Sequence, residues 1–568
     1  MKNTLLKIIG IMWILLLGYP SFAQSESEKP VLQAPLFDNL GSYTHPVSTK
    51  VPLAQRFFDQ GLILFYGFEW GESIRSFKEA TRLDPNCGMC YWGLALALGN
   101  KINAPMNGHE YSDGKTAIQK ALSLAAFETP VEKDYIKALS LRFQHTPKII
   151  KQAGAFSCHT SNGQQDEPSR KEKFAYAKAM KIIVQKYPQD NDAKALYGAA
   201  LYWGVAGSNP TYRDPNVRAA TKVLKEGITA DKSHIGANHY FIHVTEPYLH
   251  PEDALDSANL FRTLVPGSEH LVHMPTHIYF LTGRYHEGTD SNLQAIEVYQ
   301  QYNKTCHAQG FEPEINYLYF HNYDFLRTTA AMEGRKELAI NAAKQIIAEP
   351  FPSWLKNESS LQWFIPIPYY VEARFGMWNE ILQESMPQEK YSYALGMWHY
   401  ARGMALAHTG NIKDAEAEYK KLSKIIRKGK IDTNLGEAGH NLLKIADAIF
   451  AATLADAQGK EKLVLTNLKK AMKIQYDMGY HEPPDWYFPV SQALGGAYLK
   501  WGYAEKAKEA YTQDLKQYPK NGWSLYGLAK SLRALGENEK AARVEEEFKK
   551  AWKYADIPAP ISLFPSKD

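Results

Sequence analysis

The sequence predicts an all-α fold, an α-solenoid in which helix–turn–helix units stack into a right-handed superhelix. Three observations predict it. Small, aromatic and proline residues recur with a period of 34 over most of the chain. No sustained period-two alternation marks a strand. The 568 residues are 45% hydrophobic and 22% charged, with a formal net charge of +4, the balance of an ordinary globular chain. At roughly 100 to 200 residues per domain, the length would imply several domains. A repeat array replaces them with one continuous superhelix, because each unit's buried seam is covered only by its neighbours. Balanced charge gives no basic face, so a nucleic-acid partner is not expected.

The elements follow in order. Residues 1–23 read as a cleaved signal peptide: Lys2 and Lys7 precede the apolar run Ile8–Leu17, and Ser21-Phe22-Ala23 is a small-x-small cleavage site. That run is short for a bilayer span, and no later stretch reaches about 18 consecutive apolar residues. The mature chain is therefore expected to be exported, without stable membrane insertion. Residues 24–53 form an N-terminal extension and 54–555 the solenoid. In the unit from Ala54, Gly61 falls at position eight, Ser73 at twenty, Phe77 at twenty-four, Ala80 at twenty-seven and Pro85 at thirty-two. Small residues at eight and twenty let two helices approach, and the proline cannot continue the second helix. The register recurs from Ile235, Glu269, Phe320, Gly396, Ile445, Phe488 and Gly522. An insertion near 103–113 lengthens the second unit, one near 145–173 reads as a loop, and 556–568, with three prolines, as an extended tail or cap.

This register resembles the tetratricopeptide repeat (TPR) family. The stretches NHYFIHVTEPYLHPEDAL and LVPGSEHLVHMPTHIYFLTGRY further resemble a group of uncharacterised exported bacterial TPR proteins with a core of the form HYxIHxxE…HPE…HLVHMPxHIY. The resemblance covers most of the mature chain and implies fold and export, but no chemistry. The junction Phe22-Ala23-Gln24 is similar to leaders of Bacteroidetes-type Gram-negative bacteria, which implies the periplasm.

Eight of the 18 histidines lie between His234 and His286. His239 and His243 take positions five and nine of one repeat; His273 and His277 take the same positions of the next. His270 and His321 stand at position two of their repeats, and Glu246 at twelve. Spacings of three and four put these residues on one face of the first helix of each unit. In the resembled family that face lines the concave groove. His239, His243 and Glu246 would then face inward from one helix, and His270, His273 and His277 from the next. Imidazole-rich ligation suits Zn, Cu or Fe. Two histidines with Glu246 could also form the facial set of a non-haem iron centre. The blander reading is a groove whose histidines bind a peptide or an acidic ligand, or satisfy each other through hydrogen bonds. His250-Pro251-Glu252, in the turn before the second helix, reads first as a helix start with proline in its first turn, with His250 and Glu252 orienting a groove ligand as the alternative, and His321 is expected at the groove or behind its ligands. His481-Glu482-Pro483-Pro484-Asp485-Trp486 reads first as a structural turn, with closure over the groove as the alternative. Tyr240 removes the H-E-x-x-H zinc-protease pattern.

Cys87 and Cys90 form C-x-x-C at a helix start, where a local disulfide is the expected state in an exported chain. Cys306 has no sequence partner. Tyr91 follows the pair and Ala155 precedes Cys158-His159, so no haem attachment is expected. No phosphate loop, dinucleotide fingerprint or G-x-S-x-G elbow occurs, so no nucleotide is expected. Two functions follow. One is an exported repeat protein that binds a protein, peptide or small-molecule ligand in its groove beside a transition-metal site. The other is a metal-dependent enzyme, redox-active in one form, centred on the same histidines.

Overall fold

The computed structural model describes residues 33–99, 108–145, 167–205, 213–246, 250–310, 317–348, 351–429, 431 and 435–565. The expected leader 1–23 lies outside them, as do 24–32, 103–107, 146–166 and 566–568. The far edges of both insertions are helical, which for 167–173 replaces the expected loop. Residues 108–113 open the helix Gly108–Leu124, and 167–173 open Glu167–Lys186, where Lys, Glu and Ala are strong helix formers.

The described residues form helices and no strand. Successive helices pack as neighbouring pairs, among them Pro52–Tyr66 with Trp70–Leu83, Asn191–Val205 with Pro215–Ala230, and Gly522–Ala534 with Asn538–Ala551. The fold is a TPR-like α-solenoid. The first pair illustrates how register becomes packing. A Cβ on Gly61 would stand 2.9 Å from the Phe77 ring, so the ring occupies the space that glycine leaves. Ser73 Oγ donates to the Gly61 carbonyl at 2.7 Å across the same interface. Position fifteen, the turn between helices, holds a glycine in six repeats: Gly283, Gly334, Gly410, Gly459, Gly502 and Gly536, with φ between 69° and 87°. Only glycine enters that left-handed region without steric cost.

The array closes on itself. Its hydrophobic core falls into two large clusters, one between Ala34 and Tyr279 and one between Ile296 and Phe564, with Phe280, Tyr285, Phe325, Met332 and Tyr518 between them. The N-terminal segment ties back onto both halves of the first. Gln60 holds Phe37 N–H at 2.9 Å and the Pro35 carbonyl at 2.8 Å, and Gly267 N–H donates to the Asn39 carbonyl at 2.8 Å. The last repeats return to the middle: Trp523 Nε1–H donates to the Ala331 carbonyl at 2.8 Å. Asp556 accepts the backbone N–H groups of Lys336 and Glu337 at 2.7 and 2.9 Å, capping that helix start. Phe564, in the tail, is buried.

Candidate metal centre

Each helix that carries the centre has a local cause. Ile235–Thr245 begins where the His234 side chain accepts Ala237 N–H. Glu269–His273 begins at the Ser268 cap, and Pro275 then interrupts the backbone ladder, so helix resumes as Pro275–Leu281. Tyr317–Met332 contributes His321 and Phe325, one turn apart.

The six histidines are buried: His239, His243, His270 and His273 are 0% exposed, and His277 and His321 are 1% exposed. They do not line an open groove, because the closed array covers them from both ends. Their ring nitrogens converge on two points rather than one. Nε2 of His239 lies 3.0 Å from Nε2 of His243 and 3.1 Å from Nε2 of His270. Nε2 of His277 lies 2.8 Å from Nε2 of His273 and 3.4 Å from Nε2 of His321. Within each triad, every donor atom is within 4.8 Å of the others. The expected grouping by helix is therefore redistributed. His270 leaves His273 and His277 to join the preceding repeat, and His321 becomes a member of a triad rather than a supporting residue.

Three of the outer ring nitrogens are tied down. The Nδ1–H of His239 donates to the Tyr66 carbonyl. That of His273 donates to Asn292 Oδ1 at 2.7 Å, and Asn292 is itself oriented by donating to the Gly288 carbonyl at 2.9 Å. Nδ1 of His277 lies 2.6 Å from both Glu246 Oε1 and Glu482 Oε2. A neutral ring with hydrogen on Nδ1 keeps its lone pair on Nε2. Burial holds His239 neutral, its pKa lowered to about 3, and lowers those of His270 and His273 well below the usual histidine value. In the first triad, one lone pair on His239 faces two imidazole nitrogens. In the second, the lone pair of His273 faces Nε2 of His277. A cation placed among the three nitrogens of either triad would accept such lone pairs. Metal-bound N···N separations of roughly 3 to 4 Å, from Zn–N near 2.0 to 2.1 Å, are of the size found here.

Glu246 stands behind His277, not beside His239 and His243, so those three form no facial 2-His-1-carboxylate set. Glu482 joins it, and Tyr480 donates to Glu246 at 2.7 Å and to Glu482 at 2.6 Å. The segment around His481 thus closes over the centre instead of acting as a plain turn. His250 and Glu252 are exposed in the turn before Leu255–Phe261, outside the buried cluster, so they do not orient a ligand there. Two phenylalanines close the faces. Phe68 stacks on His243 and His270 with centroids at 5.3 and 5.1 Å. Phe325 packs on His273, His277 and His321 at 5.2, 4.7 and 5.0 Å. Phe68 stands at position fifteen, the glycine position of six other repeats, and adopts φ 58°. A bulky residue held in the left-handed region is strained, and its ring against the triad gives the reason it is there.

Sequence reasoning missed Tyr480, Asn292 and Phe68. The triads nonetheless carry a register signal: positions five and nine of one repeat with position two of the next unit in the series, used twice. Cys87 and Cys90 are joined as a disulfide, and Cys306 is a buried free thiol. No helix among the described residues is long and apolar enough to cross a membrane.

No family model and no curated protein matches the chain. Among solved structures it is similar to the human IFIT1 dimer with m7Gppp-AAAA, at 10% identity over 90% of this chain and 92% of that one, with a TM-score of 0.29. It is similar to yeast Tom70 at 11% identity over 87% and 90% of the two chains, with a TM-score of 0.26. The TPR domain of P58(IPK) aligns at 10% identity over 86% of this chain and 99% of that one, with a TM-score of 0.19.

Proposed function

We propose that this chain is an exported metalloprotein that holds transition-metal ions in its two histidine triads, one ion in each. The convergence of three imidazole Nε2 atoms at each of two buried points carries the reading. Neutral imidazoles suit copper, zinc or iron. Outer partners that fix the tautomer and ring orientation are the usual companions of metal-bound histidine. Three protein ligands leave a coordination position open, as catalytic rather than structural sites do, so the centre is proposed to support metal-dependent chemistry, redox included. Peptide binding by these histidines is disfavoured, since they are closed to solvent. A protein or peptide partner would instead use the outer surface of the repeats, a proposal from fold alone. The Cys87–Cys90 disulfide favours export to an oxidising compartment such as the periplasm.

The test is metal quantification on the mature chain purified without a histidine tag. Two ions per chain are expected after reconstitution, and one each in His243→Ala and His321→Ala. A chain that retains no stoichiometric metal under either aerobic or anaerobic reconstitution overturns the reading.

A further inference from the structure

We infer that the two triads form one binuclear centre, whose ions share a small oxygen-donor anion such as hydroxide, rather than two independent sites. The inference rests on the metal reading above and adds the relation between the ions.

The ring geometry is continuous across the two triads. His270 and His273 belong to different triads, yet their centroids are 6.1 Å apart; those of His243 and His277 are 6.3 Å apart. Within the first triad, His243 and His270 are also 6.1 Å apart. The closest rings of different triads are therefore about as far apart as the widest pair within a triad, the other pairs within a triad lying at 4.7 to 5.4 Å. One short helix, Glu269–His273, supplies both: His270 to one and His273 to the other, three residues on. Two-metal centres hold their ions about 3.5 to 4 Å apart with shared oxygen ligands.

Charge points to the bridging ligand. Imidazole ligands contribute no negative charge, and two carboxylates, Glu246 and Glu482, both sit on the far nitrogen of His277. Both stand at the second triad, and the charge of Glu246 also reaches His239 in the first. Two cations side by side in a buried site repel strongly, and a small anion bound to both offsets that repulsion. Phe68 and Phe325 close the two faces, so the occupant is a few atoms in size.

The experiment loads the full mature chain with Cu(II), counts bound copper and integrates the electron paramagnetic resonance signal. Two coppers whose spins couple through a bridge are expected to give a signal far below the copper count. His321→Ala and His270→Ala, each breaking one triad, are expected to bind one copper with a full one-spin signal, and circular dichroism checks that they remain folded. Two coppers with a full two-spin signal overturn the pairing while leaving the metal reading intact. No bound copper, with none of zinc or iron retained either, overturns both.

Discussion

Asn292 illustrates how a single residue can act through another. Its Oδ1 holds the Nδ1–H of His273, and its own amide is pinned to the Gly288 carbonyl. Removing such an outer partner typically weakens metal binding by about 10- to 100-fold. Asn292→Ala should therefore weaken the second triad by that factor, and the first by less, read by metal competition titration against His243→Ala. Phe68 offers the complementary case. Phe68→Gly relieves a left-handed backbone, a gain of about 1 kcal/mol. It also deletes a buried ring, at about 3 to 5 kcal/mol. The net expectation is a loss of roughly 2 to 4 kcal/mol in denaturant unfolding, with metal leaving the first triad faster. A stabilised Phe68→Gly protein would show that the ring contributes nothing there.

At the scale of elements, the 34-residue register does two jobs. It packs helices, and it copies a ligand set. Gly93 shows the first: a Cβ there would fall 2.2 Å from the Phe77 ring, against which Gly61 also packs. Gly93→Ala should cost about 1 to 3 kcal/mol of stability, measured by denaturant unfolding, because an aromatic ring fixed between two helices cannot move aside. The second job was partly legible. Histidines at positions five and nine repeat one unit apart in the sequence, and periodicity alone places them on one face. Which histidine completes each triad was not legible, since it depends on the approach of neighbouring helices and on the break at Pro275. His250 and Glu252 lie in a turn that stays at the surface, so Pro251 opens a helical turn there and the ligand-orienting alternative fails.

At the scale of the molecule, closure of the array is what buries the centre, and the N-terminal segment contributes to it. His45 in that segment lies 2.7 Å from Asp192. Burial opposes its charge, but Asp192, with Asp190 and Asp59, outweighs burial and raises its pKa from 6.5 to about 9. Tyr43 and Tyr66 donate to the same Asp192 carboxylate, while Phe58 and Tyr135 pack on the His45 ring. A raised folded-state pKa stabilises fully below the unfolded value and is lost as pH rises through the folded one. Stability should therefore fall between about pH 6.5 and 9, and His45→Gln should flatten that part of the profile in thermal unfolding.

The sequence by itself determined the all-α solenoid, the turn glycines, the cysteine pair and the set of histidines, because these follow from local spacing and propensity. Only the tertiary structure decided what the histidines surround. Phe68 comes from the first repeat, and Tyr480 and Glu482 from the late repeats, each more than one hundred and seventy residues from the central histidines and Glu246 that they cover or hold. No local pattern encodes such a meeting. It arises when the array curls until its ends cover its middle, which turns a face expected to be an open groove into a dry, enclosed centre with two points of convergence.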